Sequence, residues 1–80
     1  MSKATENFLN YLVQNRIIDE NSTVQISKQL NETKEILGNI LIQNGLFAKE
    51  DLILLVIEFY KKGYITLGEV NSNFAIDVIY

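Results

Sequence analysis

The sequence predicts a mainly α protein, a small bundle of about four helices with room for a short C-terminal β-strand. Three observations carry that prediction. Apolar residues recur at helical spacing through most of the chain. Asn44-Gly45 and Gly63 punctuate the pattern, with acidic residues opening several of the helical segments. The stretch 52–60 is apolar apart from Glu58, so it reads as the helix on which the others pack.

The first helix is expected over about 5–15, where Phe8, Leu9, Leu12 and Val13 share a face, and Arg16-Ile17-Ile18 forms a turn. Asp19-Glu20-Asn21-Ser22 supplies N-cap candidates for a second helix, which carries Val24, Ile26 and Leu30. A third helix is expected over about 31–43, with Asn31 as its cap, Glu32 and Glu35 near its positive end, and Ile36, Leu37, Ile40 and Leu41 at helical spacing. Asn44-Gly45 stops it, since glycine takes the left-handed conformation that a helix terminus needs. Lys49, Glu50 and Asp51 open the fourth helix; Lys61 and Lys62 stand in its last turn and Gly63 closes it. Thr66-Leu67-Gly68-Glu69 has capping-box spacing and predicts a further short helix. Asn71-Ser72-Asn73 then reads as a break. Phe74, Ile76 and Val78 alternate with Ala75, Asp77 and Ile79 before Tyr80, which predicts a strand that must pair or dock, because a lone strand is unstable in water.

Eighty residues with 48% apolar content suit one domain with a modest core. Cysteine and histidine are both absent, which excludes a disulfide framework, a thiolate metal site and imidazole acid–base chemistry. No cofactor is expected. The net charge is −3, and Lys61-Lys62 is the only basic pair, so no phosphate-neutralising face for nucleic acid is expected. The longest apolar run is far short of the ~20 residues that span a bilayer, and a cytoplasmic location is expected.

Candidate chemistry is sparse. Asp19-Glu20-Asn21-Ser22 lacks the alternating acids and central glycine of a calcium loop. Glu50 and Asp51 are adjacent on a helix and do not face each other. Ser22, Ser27 and Ser72 have no histidine to activate them. No catalytic residue is expected, and the chain reads as non-enzymatic. The fourth helix is apolar almost all round, and Leu55 falls inside its polar stripe of Asp51, Glu58 and Lys62. Such a helix is either buried on most sides or shows an apolar face to a partner, and in the second case Leu55, Phe59 and Tyr60 are the candidate residues for binding another protein or a second copy of the chain. Phe74, Ile76, Val78 and Tyr80 are the candidates for strand-edge pairing.

An internal repeat runs through the turns. Leu12-Val13-Gln14-Asn15-Arg16-Ile17 lines up with Leu41-Ile42-Gln43-Asn44-Gly45-Leu46 at an offset of 29 residues, and Phe59-Tyr60-Lys61-Lys62-Gly63-Tyr64 echoes both. The shared content is a helix end, a turn residue and an apolar latch. The stretch 37–47, followed by Lys49-Glu50-Asp51-Leu52, resembles the N-terminal domain of type II secretion and type IV pilus assembly ATPases, whose tandem LGxxLxxxG pattern has a similar period. The resemblance covers roughly residues 8 to 60. It implies a regulatory or adaptor module in a bacterial secretion or pilus setting.

Some members of that family bind cyclic di-GMP through an arginine before the LG, the glycines, and a glutamine at the end of each repeat. Here Gly38 and Gly45 match. Asn7 and Ile36 stand at the arginine positions, Leu9 and Arg16 replace the first glycines, and Leu30 (with Gln29 beside it) and Phe59 stand where the glutamines would be. The resemblance thus implies at most a degenerate cyclic-dinucleotide sensor using Arg16, Gly38 and Gly45, and cyclic di-GMP is not expected as the main partner. No phosphate-binding loop pattern is present, so the ATPase itself is absent.

Overall fold

The computed structural model describes residues 2–75. Five helices follow one another: α1 (Lys3–Gln14), α2 (Glu20–Glu32), α3 (Leu37–Gln43), α4 (Lys49–Lys61) and α5 (Leu67–Phe74). Their buried side chains form one hydrophobic cluster. Phe8 is at its centre, edge-on to Phe59 at 5.3 Å and to Phe74 at 4.8 Å between ring centroids.

Three of the five helices, α1, α2 and α5, begin at a side-chain cap. The Ser2 hydroxyl accepts the Thr5 N–H, the Asp19 carboxylate accepts the Ser22 N–H at 2.8 Å, and Thr66 and Glu69 form a complete capping box. These carboxylates feel their hydrogen bonds. Backbone and side-chain donation from Ser22 holds Asp19 below its ordinary pKa, and the same two contributions from Thr66 lower Glu69.

Three helix–helix corners share one hydrogen-bond pattern. At the end of α1, the Arg16 N–H donates to the Val13 carbonyl and the Ile17 N–H to the Leu12 carbonyl. At the end of α3, Gly45 donates to Ile42 and Leu46 to Leu41; at the end of α4, Gly63 donates to Tyr60 and Tyr64 to Phe59. Each is a Schellman motif with a left-handed residue at its apex, at φ of 57°, 71° and 80°. The repeat visible in the sequence is this motif. Its reach back lands on Leu12, Leu41 and Phe59, all of them core residues.

Two expectations fail. The single helix expected over 31–43 is two: α2 runs on to Glu32, and α3 starts only at Leu37. Thr33 makes the break. Its N–H and its hydroxyl both donate to the Gln29 carbonyl, at 2.9 and 2.7 Å, in an extended conformation that a helix cannot continue. Glu35 then serves as a substitute cap, accepting the Asn39 amide at 2.8 Å and the Ile36 N–H at 3.3 Å, and these bonds lower its pKa.

The strand expected to begin at Phe74 is also corrected at its start. The helix continues through Asn71, Ser72 and Asn73 and ends on Phe74. The Asn73 amide donates to the Glu69 carbonyl one turn back and its carbonyl oxygen accepts the Thr5 hydroxyl, while the Phe74 ring packs on Phe8. Ile76, Val78 and Tyr80 lie outside the described residues. No described residue is in a strand.

Gly38 explains how α3 and α5 cross. A Cβ there would lie 3.0 Å from the Phe74 Cα and 3.2 Å from its carbonyl oxygen. The crossing needs the missing side chain.

Candidate interaction surface

Helix α4 carries the candidate surface. Leu52, Val56 and Phe59 recur at i, i+4, i+7 and are buried, which fixes the side that faces the bundle. Leu55 and Tyr60 flank that stripe. Both are half-buried and packed against the core, so the structure places them beside the bundle and not on an outward face. Phe59 is 2% exposed and surrounded by the rings of Phe8, Tyr11 and Tyr64, the last two at 5.1 Å; Phe74 is likewise buried. As contact residues for a partner, Phe59 and Phe74 are corrected: their ring surface is already used inside the fold.

The outward apolar residue of α4 is Leu54, 68% exposed. Helix geometry puts it roughly 165° from the centre of the buried stripe, whereas Leu55 lies only about 65° away. Ile57, one turn on from Leu54, and Ile53, beside it, are half-buried without joining the core cluster. Ile53, Leu54 and Ile57 therefore make a short apolar strip, bounded on the same face by the exposed Glu50 and Lys61, on a helix whose opposite side is fully engaged. The sequence held the signal for it. Once Leu52, Val56 and Phe59 are taken as the core stripe, Leu54 must point away. Leu55 stands out in the sequence only because it lies inside the polar stripe of Asp51, Glu58 and Lys62.

A second feature lies across α1. An open depression of about 320 Å³ is lined by Asn7, Asn10, Tyr11, Gln14, Phe59 and Tyr64, and the Lys62 ammonium stands over the Tyr11 ring at 5.6 Å. Its lining side chains are carboxamides and aromatic rings, with no formal charge among them. The Lys62 ammonium is the cation that stands beside it.

The residues matched to the cyclic-dinucleotide motif have separate structural duties. Gly38 is covered by Phe74, so its backbone is closed to a ligand. Gly45 and Arg16 are the left-handed apices of two different corners. Among the described residues, no group of three or more acids could hold a metal ion, and no helix is long and apolar enough to cross a membrane. Comparison of the chain with family models, with curated proteins and with solved structures finds no match.

Proposed function

We propose that this protein is a non-enzymatic protein–protein interaction or regulatory module, and that its binding face is the Ile53–Leu54–Ile57 strip of α4. The exposed Leu54 carries the reading: a large apolar side chain at the pole opposite the core gains nothing from the fold and gains burial from a partner. The resemblance of residues 8–60 to secretion and pilus ATPase N-terminal domains supports a bacterial, cytoplasmic adaptor setting. The form of partner put to the test is a second copy of the chain.

Absolute mass by light scattering, from about micromolar to near millimolar protein, is the test. The expected result is a mass that rises above the monomer with concentration, and reverts to monomer in Leu54→Asp with helicity unchanged. At an exposed site that substitution changes stability by only about 0.5 kcal/mol. A monomer throughout would remove self-association through this face.

The runner-up is a degenerate cyclic-dinucleotide sensor, which rests on the family resemblance and on Gly45, since Gly38 is covered by Phe74. It expects saturable cyclic di-GMP binding that weakens when Arg16 or Gly45 is changed. Absence of binding at high micromolar ligand would remove it.

A further inference from the structure

We propose that Asn44 is a spontaneous modification site, which deamidates through a succinimide that the folded corner holds back and whose product loosens the α3–α4 corner and its hydrogen bond to α2. Asn44-Gly45 is the only Asn-Gly pair in the sequence. Glycine puts no side chain in the way of its own nitrogen, so this pair closes to a cyclic imide most readily. The Gly45 backbone nitrogen loses its proton and forms a bond to the Asn44 side-chain carbonyl carbon. The C–N bond of the carboxamide breaks, and ammonia leaves with the proton. Water then opens the imide at either carbonyl, giving aspartyl or isoaspartyl at position 44. Only water is consumed.

The folded corner opposes each requirement. The Gly45 N–H is engaged with the Ile42 carbonyl at 2.9 Å. The Asn44 amide donates to two acceptors, the Gln29 side-chain oxygen and the Ile40 carbonyl, each at 2.7 Å. With ψ of 1° at Asn44, the Gly45 nitrogen is turned away from the carbon it must attack. Ring closure therefore waits for the corner to open.

The product loses the donor that the corner uses. An ionised carboxylate only accepts, so it would face the Ile40 carbonyl acceptor to acceptor. It would also bring negative charge to the C-terminal end of α3, where the helix dipole disfavours it. The Gln29–Asn44 bond, which joins α2 to this corner, loses its Asn44 donor and can re-form only if the Gln29 carboxamide reverses and donates.

Asn15 is a built-in control. It occupies the same C-cap position in α1 and its amide donates to the Tyr11 carbonyl at 2.8 Å, but Arg16 follows it.

The experiment is a peptide map by mass spectrometry of the whole chain aged at mildly alkaline pH, folded and in denaturant, for the wild type and Gln29→Ala. Conversion is expected at Asn44 before Asn15 in denaturant. In the folded wild type it should be about tenfold slower or more, and it should speed up in folded Gln29→Ala with no change of rate in denaturant. Equal rates folded and unfolded, or no faster conversion at Asn44 than at Asn15 in denaturant, would overturn the proposal. So would a Gln29→Ala rate unchanged in the folded state. Hydrogen exchange on Asn44→Asp reads the consequence: the Gly45 and Leu46 amides should exchange faster than in wild type, and unchanged exchange there would overturn the claim that conversion loosens the corner.

Discussion

The corner after α1 and the corner after α3 have the same shape and opposite chemistry. Both reach back from the residue after the apex to a fully buried leucine, Leu12 in one and Leu41 in the other. One apex is Gly45, for which the left-handed conformation is nearly free. The other is Arg16, for which that conformation costs about 1–2 kcal/mol. The downstream caps differ in the opposite sense. Asp19 caps α2 with its carboxylate, whereas Ala48 offers α4 no side-chain cap. The same geometry therefore does not need glycine. All three corners share a buried apolar or aromatic residue one turn before the apex, Leu12, Leu41 or Phe59, and another after it, and the rest of the corner can be strained or uncapped as long as those anchors hold.

The largest effects should come from the anchors. Leu12→Ala and Leu41→Ala should each lower stability by about 2–5 kcal/mol in denaturant melts, since both side chains are fully buried. Similar losses would place the two corners on an equal footing. A mild Leu41→Ala beside a severe Leu12→Ala would show that Gly45, and not the leucine, holds the second corner.

Exchange of the apex residues separates backbone strain from packing. A Cβ at Gly45 would meet nothing within 4 Å, so Gly45→Ala should lose about 1–2 kcal/mol through its conformation alone. Arg16→Gly should move the other way, by about 0.5–1 kcal/mol at most, because relief of strain is offset by the greater freedom of glycine in the unfolded chain. If Arg16→Gly destabilises, the arginine side chain contributes more to its corner than its exposure suggests.

These corners were the most legible part of the chain. The helix end, turn residue and apolar latch are written in consecutive residues, and local hydrogen bonds turn that spelling directly into structure. The boundary between α2 and α3 was not legible. Ile36, Leu37, Ile40 and Leu41 continue a helical period, and only the competing bonds of Thr33 to one carbonyl interrupt it. The end of α5 was hidden for a different reason. Phe74 belongs to a β-like composition locally, yet the close crossing at Gly38 and the Phe8 ring draw it into the helix. On α4, the apolar pattern leaves open which residues face the bundle, because that depends on where the other helices lie. That information is tertiary, so Leu55 was favoured where Leu54 is the exposed residue.

The smallest effect tests the difference between the caps. Asp19 accepts the Ser22 N–H and is held below its ordinary pKa by that bond, so the α1–α2 corner contains a titratable anchor; Ala48 has no carboxylate to offer at the equivalent position. A carboxyl whose folded pKa is lowered contributes stability that is fully present above its unfolded value and lost as pH falls through the folded one. Acidification should therefore loosen the start of α2 at pH values below the ordinary aspartate range. In a heteronuclear NMR titration the Ser22 amide should report that loss, with a midpoint below that of a free aspartate. Asp19→Asn should abolish the transition at Ser22 while keeping a capping oxygen in place. A Ser22 amide that titrates identically in Asp19→Asn would mean that a different group caps α2, and the contrast between the two corners would reduce to Arg16 against Gly45.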